Sequence, residues 1–181
     1  MNPIVRLIAV SLLLTLAGCG KQPIEEAVSK NDRNAVKQAV EQGGDVNARV
    51  SGGDTALLLA VKNAQSSSAQ GLIEAGADVT ARDGAGNGVL HYAARNGMTG
   101  ICGLVIDKGV PVDDKGEGGA TALHFAVASA RQETAKFLVR RGASLQQKND
   151  AGASPLDLAE RSGDTRFRND LELAAQIRPN P

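Results

Sequence analysis

Shifted by 33 residues, the sequence falls onto itself without drift. Leu57, Leu90, Leu123 and Leu156 share one column, Ala60, Ala93, Ala126 and Ala159 a second, and Gly43, Gly76, Gly109 and Gly142 a third. Two further apolar columns hold Val40, Ile73, Ile106 and Val139, and Val46, Val79, Val112 and Leu145. A fixed period between about 20 and 50 residues marks a stacked array in which each unit buries its apolar face against the next. That constraint settles the class of function, a displayed surface, and leaves the partner open.

The stretch from Thr121 to Gly142 shows what one unit is built from. Thr121, in the column of Thr55 and Ser154 with Gly88 as the odd member, supplies an N-cap hydroxyl. Leu123, Ala126 and Val127 follow at the i, i+3 and i+4 spacing of one helix face. A second helix carries Thr134, Phe137 and Leu138 at the same spacing, and Gly142 stops it with a residue that tolerates left-handed backbone. The small residues of the Ala126 column imply close approach between units.

These residues resemble the ankyrin repeat, whose T-P-L-H-x-A signature matches Thr121-Ala122-Leu123-His124-Phe125-Ala126 except at the proline. Gly76-Ala77-Asp78-Val79 is similar to the family's G-A-D-V-N turn. The resemblance implies an all-α solenoid of about five helix-turn-helix units joined by β-hairpin fingers. It spans residues 22–177, with repeats starting near 22, 55, 88, 121 and 154, and leaves 178–181 as a frayed tail.

Residues 1–18 differ in kind. Arg6 is the sole charged side chain before Lys21, and Leu7 to Leu16 is mostly apolar. At ten residues this run is shorter than the ~20 needed to cross a bilayer as a helix, and matches the h-region of a secretion signal. Leu16-Ala17-Gly18-Cys19 resembles a bacterial lipobox. That resemblance implies removal of 1–18, lipidation of Cys19 and a short tether over 19–21, so that the protein is held to a membrane by its lipid. Gly20 after Cys19 implies the outer membrane of a bacterial envelope, facing the periplasm. With so short a tether, the first unit is expected close to the membrane surface.

Composition narrows the partners. Twenty basic residues balance twenty acidic ones, so no overall charge points to nucleic acid. Aromatics at 2% suit thin helical layers stacked on small side chains. With Cys19 lipidated, Cys102 has no disulfide partner and is expected to be a buried, inert thiol. A monomer is expected.

Catalytic chemistry finds few candidates. The two histidines, His91 and His124, stand 33 residues apart in one column, and the resemblance gives them a structural role, tying each turn to its neighbour. No spacing supplies a metal site, and no cofactor is expected. Gly84 to Gly88 lies in a finger, where glycines serve the turn, without the strand and long helix of a phosphate loop. Tyr92 and Phe125 fall in the apolar column of Leu59 and Leu158 and are expected to pack.

By resemblance, partners meet the fingers and the adjoining first helices. On this chain Arg49, Arg82, Lys115 and Lys148 form one basic column there, with Lys62, Arg95 and Arg161 beside it and Asp54, Asn87, Glu117 and Asp150 interspersed. Such a stripe would attract an acidic patch on a protein partner. The expected function is a noncatalytic scaffold binding a periplasmic or membrane protein, as an accessory factor or a toxin-immunity protein. The alternatives are a structural envelope spacer and, behind it, an enzyme.

Two local expectations concern the ends and the weakest point. Glu25, Glu26, Lys30 and Arg33 are expected to give the first unit a polar outer face, and Arg166, Arg168 and Glu172 to do so for the last. In the second unit, Ser68 and Gly71 stand where the third has Ile101 and Leu104, which predicts a poor second helix and low local stability.

Overall fold

The computed structural model describes residues 23–50 and 52–177. The leader, Cys19, the tether, Gln22, Ser51 and the tail from 178 lie outside the described residues. Among them, ten α-helices follow in five pairs: α1 (Pro23–Ser29) and α2 (Arg33–Glu41), α3 (Ala56–Lys62) and α4 (Ser66–Glu74), α5 (Val89–Arg95) and α6 (Thr99–Asp107), α7 (Ala122–Ala128) and α8 (Gln132–Arg140), α9 (Pro155–Arg161) and α10 (Thr165–Gln176). The first helices pack in one layer and the second helices in another. A single apolar core runs from Ile24 to Ala174.

The columns explain the stacking. The four alanines at 60, 93, 126 and 159 are fully buried, and a larger side chain would hold neighbouring helices apart. Gly43, Gly76, Gly109 and Gly142 all have φ between 90° and 102°, so each second helix ends where only glycine turns without strain. The turn inside each pair also takes positive φ, at Asn31, Ala64, Gly97, Ala130 and Gly163. Ala64 and Ala130 hold that conformation at a cost of about 1–2 kcal/mol each.

Caps follow the sequence. The Oγ1 of Thr55 accepts from the Leu58 amide at 3.3 Å, and Ser154 and Asp157 cap each other, with amide-to-oxygen distances of 3.1 and 2.8 Å. The fingers differ from the hairpins expected. Among the described residues there is no strand, only single antiparallel bridges pairing Arg49 with Thr55, Arg82 with Gly88 and Lys115 with Thr121. Paired glycines at 52–53 and 118–119 turn the tips with positive φ, and so short a loop has room for one pair of the ladder.

Two local expectations are corrected. Glu25 is 7% exposed, not outward-facing, because it occupies the register of His91, His124 and Asp157 in the first turn of its helix. Helix α4 is fully formed, and its odd residues have partners. The Ser68 hydroxyl donates to the Val28 carbonyl at 3.2 Å, and its amide donates to Asn31 Oδ1 at 3.2 Å. A Cβ at Gly71 would lie 3.1–3.3 Å from the side chain and backbone of Arg33. Gly71 lets α4 sit close against α2, and Ser68 fastens it to the end of α1 and the turn that follows.

Candidate binding surface

Each finger repeats one hydrogen-bond scheme at the 33-residue period. Val50 donates to the Asp54 carbonyl at 2.9 Å, Asp83 to Asn87 at 3.0 Å, Gly116 to Ala120 at 2.8 Å and Asn149 to Ala153 at 3.0 Å. The histidines tie successive fingers. His91 Nδ1 accepts from the Gly88 amide at 3.1 Å, which leaves the ring proton on Nε2 to donate to the Asp114 carbonyl at 3.0 Å. His124 repeats this with Thr121 and Ala153, each at 3.1 Å. Burial pushes both imidazoles below their ordinary pKa, outweighing the pull of Asp114 on one and the Ala153 carbonyl on the other. Both rings are therefore neutral struts.

The charges divide into two groups. Lys62 reaches Asp54 at 2.8 Å and Asp83 at 3.1 Å and sits 5.0 Å over the Tyr92 ring, whose hydroxyl donates to Asp83 at 2.5 Å. Burial alone would raise the Asp83 carboxyl. Hydrogen bonds from Tyr92, Lys62 and the Asn87 backbone outweigh it and hold the group down to about 2. Burial likewise opposes the Lys62 charge, and the two aspartates hold its pKa above the ordinary value. Arg82 is engaged in the same way, with Asp114 at 2.5 Å and the Gly86 and Lys115 carbonyls at 2.7 and 3.0 Å.

Lys62 and Arg82 thus stitch fingers together. Arg49, Arg95, Lys115, Lys148 and Arg161 are exposed and make no ion pair among the described residues. Asn87 departs from the expectation of a contact residue. It is 2% exposed, its Oδ1 accepts from the Glu117 amide at 3.0 Å, and its Nδ2 donates to the Glu117 carboxylate at 3.3 Å. Asn87 fixes one finger to the next, and Glu117 is partly spent on it. Asp150 stays exposed at its finger tip, where its amide donates to the Gly118 carbonyl at 2.8 Å.

The surface carries no constellation for covalent chemistry among the described residues. No group of three or more His, Cys, Asp or Glu could hold a metal ion there. Cys102 is fully buried, and burial pushes its thiol up to about 12, far from thiolate formation. No described helix is long and apolar enough to cross a membrane.

The model of the family described as ankyrin repeats (3 copies) matches residues 3–83 and 82–149, most of the chain. This chain belongs to the ankyrin repeat family. The first match begins inside the stretch read above as a leader, and the second ends before α9 and α10. No curated protein matches the sequence. Ankyrin repeats are generally modules for protein–protein interaction and are typically noncatalytic.

Sequence reasoning placed Asp83 and Asp114 near the stripe as neutralising charges but did not pair Asp83 with Lys62 or Asp114 with Arg82. The available signal was register. Aspartate appears at 54, 83 and 114 in columns where other ankyrin units of the chain have uncharged residues.

Proposed function

We propose that this protein is a noncatalytic protein-binding scaffold of five ankyrin units with hairpin-like fingers. Cys19 carries lipid and anchors it to a bacterial envelope, at the outer membrane and facing the periplasm. Its fingers and first helices bind a periplasmic or membrane partner, for which it serves as an accessory factor or an immunity protein.

The observation that carries this reading is the rigid linkage of successive fingers by side chains. His91, Asn87, Arg82 and Lys62 each join one finger to the next. A surface fixed before binding loses little conformational entropy on association.

A photoreactive residue at Gly84 in a finger tests it, with Gln38 on α2 as the control. A Cβ at Gly84 meets nothing within 4 Å, so the site accepts a side chain. Saturable capture of one protein from Gly84 alone is the expected result; capture from neither position, with folded protein, favours the envelope spacer. Incorporation of a fatty-acid analogue that survives Cys19→Ser would remove the anchoring half of the proposal.

A further inference from the structure

Within that binding reading, we propose that Phe125, Ala128 and Leu158 form an apolar window for one bulky side chain of the partner, and that Arg95 and Arg161 at its two ends hold acidic residues flanking that side chain in an extended segment.

The window stands out against the unit before it. Lys62 sits 5.0 Å over the Tyr92 ring, and the Tyr92 hydroxyl donates to Asp83 at 2.5 Å, so the chain's own groups close that part of the first-helix face. Arg95 has the register of Lys62 and Phe125 that of Tyr92, yet no cation lies over the Phe125 ring among the described residues. One unit further, the covering position is Ala128, which is exposed and too short to lie over Leu158. Phe125 and Leu158 are both half-buried, and the Phe125 ring rests edge-on against His91 with centroids 5.5 Å apart. That buried strut fixes the ring before a partner arrives.

Three helices place these groups in a row, because α5, α7 and α9 pack side by side. Ala128 follows Phe125, and Arg161 follows Leu158, at the i, i+3 spacing of one helix face. The register of Lys62 on Tyr92 sets Arg95 on the Phe125 side of the window. Both arginines are exposed and make no ion pair among the described residues. The carboxylates within a turn of Arg161 are engaged, Asp157 on the Ser154 amide at 2.8 Å and Glu160 on Arg168 at 2.9 Å.

Charge therefore selects an anionic segment, and the floor between the arginines selects an apolar side chain at its centre. Packed helices lie ~8–10 Å apart, which roots the two arginines ~16–20 Å apart. An extended chain rising ~3.3 Å per residue covers that span in about five or six residues.

The test uses the folded protein and two end-capped peptides, Glu-Gly-Gly-Leu-Gly-Gly-Glu and the same peptide with Gly at its centre, followed by amide shifts at low salt. The leucine peptide should bind about fivefold tighter, with the largest shifts at Phe125, Ala128 and Ser129. Ala128→Arg restores the cover seen at Tyr92 and should erase that preference with the melting temperature unchanged. Arg95→Gln and Arg161→Gln should each weaken both peptides about threefold, and Arg49→Gln neither.

Equal binding of the two peptides to the wild type, or a leucine preference that survives Ala128→Arg, overturns the window. So does the absence of shifts at millimolar peptide. Shifts at the same residues produced by anionic vesicles alone, or by concentrating the protein, would give this face to a membrane or to a second copy and likewise overturn it.

Crosslinking separates this proposal from the scaffold reading. A partner captured from Gly84 with equal affinity by wild type and by Ala128→Arg keeps the scaffold and removes the window. Absence of capture counts against the scaffold itself, whatever the peptides do.

Discussion

The joint between the first two helix pairs and the joint between the third and fourth do the same job with different means. At the first, the second helices carry the load. Ser68 bonds Val28, Asn31 caps the Ser68 amide, Arg33 pairs with Glu74 at 2.6 Å, and Gly71 lets the two backbones approach. At the later joint, the fingers and first helices carry it, through His91, Asn87 and Arg82, with Thr99 and Thr134 touching at 2.7 Å behind them. A repeat period fixes where units meet; it does not fix which atoms hold them.

The largest effect should come from the later joint. His91→Leu leaves the buried Gly88 amide and the Asp114 carbonyl without their partner and should cost about 3 kcal/mol in chemical denaturation. Leucine is a fair replacement because Leu58 fills the same column one unit earlier and is fully buried. A cost below about 1 kcal/mol would show that the finger tie is ornamental.

The first joint makes the sharper test, because sequence and structure disagree in sign. Replacing Gly71 by the Leu found at 104 looks like repair of a helix, since glycine costs about 1 kcal/mol in a helix interior. Against the Arg33 backbone it should instead destabilise by about 2 kcal/mol. Stabilisation would restore the reading of α4 as a drifted helix.

Between the joints lies a smaller effect. Ala130→Gly relieves a residue at φ 54° and should stabilise by about 0.5–1 kcal/mol, after the added freedom of the unfolded chain is counted. The same change at Ala159, fully buried within α9, should destabilise, so the pair reads backbone strain apart from side-chain loss.

The smallest effect is in pH. His91 and His124 are held neutral by burial, whereas in the unfolded chain they take up protons near pH ~6.5. Their contribution is present in full above that pH and is lost as pH falls through it. Urea midpoints should therefore drop from pH ~7 to ~5, and less so in His91→Leu. An identical slope in wild type and variant would assign the loss to other groups.

How much of this was legible in the sequence follows from what each feature depends on. The columns of Leu, Ala and Gly announce the helix pairs and their stops because they obey backbone geometry, which every unit shares. The fates of Glu25, Asn87 and Gly71 were hidden because each is decided by a residue in another unit. Glu25 was assigned by its charge, though its register places it inside with the histidines. Asn87 was assigned by its position in a finger, though Glu117 claims both ends of its amide. The basic stripe was visible as a column, but its division into engaged and disengaged cations needed Asp83 and Asp114 in space.

The histidine ties point one way along the array, each ring held at one finger and its acceptor in the next. A block cut at 88–120 or at 121–153 therefore holds its ring and its acceptor together. Such a block duplicated in place brings its own tie with it. Leu58 and Asp157, which flank the two histidines in their column, mark where that freedom to lengthen stops.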